Sequence, residues 1–289
     1  MENLSNLTIA KKVMLDQNFR TKKKFGQNFL MDENVLNNIV DAADINKNDL
    51  VIEIGPGIGT LSQKILERAH SAILIEIDEK LIPILNDTLK EYSNFRILNE
   101  DIMKLDLNSL FSEGEKNLNI KIVANLPYYI TTPVLTKLMK SHLDYESITI
   151  MIQKEVADRL IAKKGNKDYG AITLLVDFYT NPKIIEFVTK DKFFPRPKVD
   201  SAVVDLKKKE TKLPEGLTEN MLFTVIRAAF LHRRKTLYNG LLNCKELNLS
   251  KEKIKLAISK SGWEDGIRGE KLSLFDYIKL SQELYKMEG

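Results

Sequence analysis

Leu50-Val51-Ile52-Glu53-Ile54-Gly55-Pro56-Gly57-Ile58-Gly59 joins an apolar run to a glycine-rich turn. Its first half is a nearly continuous apolar run, the pattern of a strand covered on both faces. Its second half places glycines where the chain must turn tightly and let its backbone approach a ligand. A helix near 60–69 is expected to follow. Outward from this unit the same alternation recurs. Residues 72–77 read as a second strand, with a helix near 79–91. Residues 95–98 form a third strand ending at Asp101, and 120–124 a fourth, followed by a helix from 133 to 140. Residues 148–152 form a fifth, with a helix at 154–163. Upstream, Asp32 is placed to cap a helix running to about Ala43. Strands and helices alternating in this way predict an α/β fold with a mostly parallel sheet and helices on both faces. Two later runs, 183–188 and 202–206, read as extra strands closing one edge. They flank Phe193-Phe194-Pro195-Arg196-Pro197, which two prolines hold extended.

The pattern changes near Lys207-Lys208-Lys209. Beyond it every strong signal is helical, over about 218–230, 233–242, 250–259 and 273–287, the last with Ser273 as a cap. The expected division is therefore a basic, loosely ordered arm at 1–21, a catalytic domain at 22–209 and a small all-α domain at 210–289. The net charge of +4 is unevenly spread. Across residues 1–25, Lys11, Lys12, Arg20, Lys22, Lys23 and Lys24 face only Glu2 and Asp16, and the helical region is also basic, which suits an anionic polymer. One cysteine, Cys244, excludes an intramolecular disulfide framework. His70, His142 and His232 are scattered, so no zinc site is expected. No apolar run is long enough for a membrane span or shaped as a signal core, and a cytoplasmic, monomeric protein is expected.

Ligands of open α/β sheets bind beyond the carboxyl ends of the strands. Each of the first four strands here ends in a group with a use. The first ends in the glycine loop. The second ends in Glu76, 21 residues beyond Gly55, where a carboxylate can accept from both ribose hydroxyls. The third ends in Asp101, followed by Ile102 and Met103, an acceptor for an adenine amine beside apolar cover. The fourth ends in Asn125-Leu126-Pro127-Tyr128, which carries a side-chain oxygen, a main-chain carbonyl and an aromatic face. Pro127 biases Leu126 toward an extended conformation and has no N–H of its own. A glycine loop with an acidic ribose ligand would equally suit a dinucleotide, but Gly-Pro-Gly-x-Gly departs from the G-x-G-x-x-G spacing.

Phe25-Gly26-Gln27-Asn28-Phe29-Leu30, Glu53-Ile54-Gly55-Pro56-Gly57, Asn125-Leu126-Pro127-Tyr128-Tyr129-Ile130, Gln153–Leu160 and Phe193–Ser201 occur in order with fitting spacing. Together they resemble the KsgA/RsmA ribosomal RNA adenine dimethyltransferases, from about residue 22 to the C-terminus. The related erythromycin-resistance methyltransferases share the architecture and several of the motifs. The resemblance implies a Rossmann-like S-adenosylmethionine-dependent methyltransferase fold. The implied target is N6 of two adjacent adenines near the 3′ end of small-subunit ribosomal RNA, with the small subunit as partner. It implies that Gln27, Asn28 and Leu30 lie over the cofactor, that Gly55 and Gly57 approach it, and that Glu76 holds its ribose. Asp101, with Ile102, would hold the cofactor's adenine. Asn125, Leu126 and Tyr128 would hold the target base, Asn125 also bordering the cofactor, and Phe193 would stack on the base's other face. Arg233, Arg234 and Lys235 are candidates for phosphate contacts, which set affinity and orientation rather than sequence choice. Two other readings are an assembly factor for which binding outweighs methylation, and a resistance-type enzyme acting on large-subunit RNA.

Overall fold

A computed structural model describes residues 4–287 apart from 18, 20, 22–25, 116, 128, 142 and 233. In chain order its principal elements are α1 (Leu7–Asp16), β1 (Phe29–Leu30), α2 (Glu33–Ala42), β2 (Asp49–Ile54), α3 (Thr60–Arg68), β3 (Ser71–Ile75), α4 (Ile82–Thr88), β4 (Phe95–Leu98), β5 (Asn119–Asn125), α5 (Thr131–Lys140), β6 (Tyr145–Gln153), α6 (Lys154–Leu160), α7 (Ala171–Tyr179), β7 (Thr180–Val188), β8 (Phe193–Phe194), β9 (Ser201–Lys208), α8 (Glu219–Leu231), α9 (Leu237–Leu242), α10 (Lys251–Lys260) and α11 (Leu274–Tyr285).

The main sheet has the order β4-β3-β2-β5-β6-β9-β7. β2 pairs in parallel with both β3 and β5, β3 with β4, and β5 with β6, whereas β9 runs antiparallel to β6. The chain starts in the middle at β2, steps out to β3 and β4, then crosses to β5 on the other side. That reversal opens a crevice beyond the strand ends, where ligands of such sheets bind. β2 is buried along its whole length, as its unbroken apolar run requires. Leu36, Ile39 and Val40 of α2 and Ile65 and Leu66 of α3 pack with Val51, Leu74 and Val123 in the core. The Asp32 side chain accepts from the Val35 amide and caps α2 as the sequence predicts.

The structure departs from the sequence reading in three places. Residues 7–16, expected to be loosely ordered, form α1. Asn6 caps it by accepting from the Thr8 amide, and Ala10 and Met14 are buried. The chain also divides differently, into one compact unit of residues 1–157 and 182–208 and a second of 158–181 and 209–289. Helix α7, missed in the sequence, belongs to the second unit because its Phe178 ring packs edge-on against Phe223 of α8, with centroids 5.3 Å apart. Finally, β1 and β8 pair antiparallel through Phe29–Phe194 and Leu30–Phe193, a pairing between segments too short to carry a strand pattern.

Within the second unit the buried Tyr277 of α11 donates its hydroxyl to the Gly269 carbonyl at 2.9 Å, and Tyr169 donates to the Leu272 carbonyl at 2.8 Å. The Ser273 cap of α11 is present and is part of a reciprocal box with Asp276.

Candidate active site

One cavity gathers the ends of β2, β3, β4 and β5. Gln27, Gly55, Glu76, Asp101, Asn125 and Leu126 all line it. Gly55 has φ +73° and its amide donates to the Ile75 carbonyl at 2.9 Å, tying the turn to the next strand. Gly57 has φ +62°, and a Cβ there would stand 2.8 Å from the Phe29 ring. Both positions therefore need glycine for conformation, and the second also for space.

Glu76 is buried and accepts from two backbone amides, Asp78 at 2.8 Å and Gly57 at 3.3 Å. Burial nevertheless raises its pKa to about 7, with the nearby Asp78 charge adding to the rise. These amides fix the carboxylate while its other lone pairs remain as acceptors toward the cavity. Asp78, itself buried, accepts from the Gln27 side-chain amide at 2.9 Å. Gln27 is thereby fastened to the β3 end, and the 26–28 loop with it. Leu30 is buried beneath that loop, and the Asn28 amide donates to the Gly26 carbonyl at 2.9 Å.

Asp101 is half-buried and accepts from the Met103 amide at 2.9 Å, a turn that presents Ile102 and Met103 to the cavity. The Asn125 Nδ2 donates to the Asn28 carbonyl at 3.2 Å. That bond orients the amide and leaves Oδ1 as an acceptor not used by it. The Pro127 carbonyl is taken by the Ile130 amide at 3.1 Å as α5 begins.

Two expected site residues, Tyr128 and Arg233, lie outside the described residues. Phe193 is 5% exposed, pairs with Leu30, which lines the cavity, and packs in the core with Val188 and Val203. Arg234 and Lys235 are exposed in the turn after α8, within the second unit.

Sequence reasoning did not single out two contributors. Glu53 is 1% exposed and lines the cavity, and burial with the Glu76 charge pushes its pKa up to about 8. An acidic residue inside an otherwise apolar strand was the visible signal. Lys137 of α5 donates to the Met103 carbonyl at 3.0 Å and the Leu105 carbonyl at 2.6 Å, joining the β4-end loop to the helix that follows the Asn125 hook. Nothing in its local pattern distinguishes it from a solvated helix lysine.

Residues 18–284 match the family model described as ribosomal RNA adenine dimethylase. The chain belongs to that family. The chain is similar to ribosomal RNA small subunit methyltransferase A of Clostridium acetobutylicum, at 46% identity over 277 residues covering 96% of this chain and 98% of that one. The counterpart in Lachnoclostridium phytofermentans is 50% identical over 264 residues, covering 91% of each. A solved dimethyladenosine transferase from Plasmodium falciparum superposes with a TM-score of 0.74 at 27% identity, covering 90% of this chain and 98% of that one. The 23S rRNA methyltransferase ErmE, with a TM-score of 0.66 at 23% identity over 89% of this chain and 99% of that one, shares the fold. As a member of this family the chain is an rRNA adenine dimethyltransferase with a Rossmann-like methyltransferase fold. No helix among the described residues is long and apolar enough to cross a membrane.

Proposed function

We propose that this enzyme transfers methyl groups from S-adenosylmethionine to N6 of two adjacent adenines near the 3′ end of small-subunit ribosomal RNA, two methyls to each. We further read it as acting in the cytoplasm, as a monomer, during small-subunit assembly. The observation that carries the chemistry is the convergence of Glu76, Asp101 and the Asn125-Leu126 hook on one cavity.

The donor set fits the cofactor. Glu76 would accept from the ribose hydroxyls and Asp101 from the adenine amine, while Ile102 covers the ring and Gln27, Asn28 and Leu30 close the loop above. The glycine turn at Gly55 and Gly57 admits the methionine end without a side chain in the way. When bound, the cofactor supplies a methyl group on a sulfonium, already strongly electrophilic.

The enzyme's own task is on the acceptor side. An adenine N6 lone pair is delocalised into the ring and attacks poorly. Asn125 Oδ1 and the Leu126 carbonyl would accept both amine hydrogens, favouring a tetrahedral nitrogen and stabilising the positive charge that develops on it. Positioning carries most of the acceleration, and no dedicated general base is needed, because the proton becomes acidic only after transfer. The base must leave its stack, and Tyr128 is the aromatic in the hook that would offset part of that cost. Arg233, Arg234 and Lys235 would hold phosphates.

The test offers purified, unmethylated small and large ribosomal subunits in parallel with labelled cofactor, followed by mass analysis of the nucleosides. Dimethyladenosine at two adjacent positions near the small-subunit RNA 3′ end is expected. Transfer to large-subunit RNA alone would overturn the assignment in favour of a resistance-type activity.

A further inference from the structure

Helix α1 lies outside the segment matched by the family model, which begins at residue 18. It nevertheless packs against the walls of the cavity. Ala10 and Met14 of α1, with Phe19 just beyond it, form one buried cluster with Phe29, Ile58, Leu81 and Ile84. Three of these partners belong to the site. Phe29 and Leu81 line the cavity, and Ile58 stands between Gly57 and Gly59 in the turn. The Phe29 ring is also the group that fills the space a Cβ on Gly57 would need. The Phe19 and Phe29 rings lie 6.4 Å apart, and the Lys11 ammonium sits 4.9 Å from the Phe194 ring, on the strand that pairs with Phe29.

We infer that α1 is a positioning element of the cofactor site, setting the glycine turn and the Phe29 wall from behind, so that its docking and cofactor binding strengthen each other. This rests on the reading of the cavity as a cofactor site. Gly55, Gly57 and Gly59 all adopt positive φ and give the turn little stiffness of its own. The turn's shape then depends on what packs against Ile58, and on one side that is α1. Interior packing transmits such constraints because it is dense and not continuously deformable. Linkage makes the relation reciprocal: if a docked α1 raises cofactor affinity by some factor, bound cofactor must tighten α1 docking by the same factor.

The test uses the full chain with S-adenosylhomocysteine as the probe. Amide hydrogen exchange of the wild type, free and saturated, should show protection rising over 7–16 together with 55–59. By calorimetry, Met14→Asp should weaken S-adenosylhomocysteine binding tenfold or more, Met14→Leu should stay within twofold of wild type, and RNA affinity should be unchanged in both. If Met14→Asp does not fold, Met14→Ala and the wild-type exchange result decide. Unchanged exchange in α1 on saturation, or near-normal cofactor affinity in a folded Met14→Asp chain whose α1 has become protease-sensitive, would overturn the inference and leave α1 a mere addition to the core. Failure of the wild type to bind S-adenosylhomocysteine at all would instead remove the cofactor reading, and this inference with it.

Discussion

Glu76 combines two demands that conflict. In its proposed role it would be ionised to accept from both ribose hydroxyls, yet it is buried, and burial raises its pKa to about 7. Cofactor affinity should therefore climb with pH through that value. If only the ionised form binds, affinity at pH 6 should be about tenfold weaker than at pH 8. Titration calorimetry across this range checks it, and a flat profile would show that the carboxylate does not set affinity. Glu76→Ala should weaken cofactor binding at every pH while sparing RNA binding. The strand-end residues were legible in the sequence because each lies directly after an apolar run, so position along the chain reports position in the site. The pairing of Phe193 with Leu30, more than 160 residues earlier, was not, because no local pattern records it.

Among elements, the glycine turn and the loop after β4 carry the sharpest expectations. Gly57→Ala would combine a positive φ with a Cβ 2.8 Å from the Phe29 ring. A loss of stability on the order of 1–3 kcal/mol is expected, larger if the ring cannot shift, together with a marked fall in cofactor affinity. Thermal unfolding and calorimetry read the two effects separately. Lys137→Met removes the ammonium that holds the Met103 and Leu105 carbonyls, so the Asp101 loop should loosen and cofactor KM rise several-fold, with Lys137→Arg partly restoring it. An unchanged KM would reduce Lys137 to a surface residue. The β-α alternation was legible because buried parallel strands announce themselves as unbroken apolar runs. Helix α1 was overlooked although Ala10, Val13 and Met14 have helical spacing, because its apolar face is narrow and its partners lie in segments it cannot be compared with locally.

At the scale of the whole molecule, two buried carboxylates bias stability with pH. Glu53 moves from about 4.5 to about 8 and Glu76 from about 4.5 to about 7, both chiefly through burial. Between those limits the native state binds more protons than the unfolded chain, so stability falls as pH rises from about 4.5 to about 8 and levels off above. Glu53→Gln should remove its share of that slope, up to a few kcal/mol by pH 8, as read by denaturant unfolding. The division into two units was only half visible from sequence. The change to helical patterning near 209 is plain, whereas the membership of 158–181 depends on aromatic packing by Phe178 and Tyr179 that a linear reading does not order. The proposed role of the Asn125 hook in the amine chemistry is tested by labelled-methyl transfer to unmethylated small subunits with wild-type and Asn125→Ala enzyme, paired with sedimentation to measure subunit binding. Dimethyladenosine is expected with the wild type, and loss of the product by at least a hundredfold in the variant with subunit binding retained. Near-normal dimethylation by Asn125→Ala would contradict it.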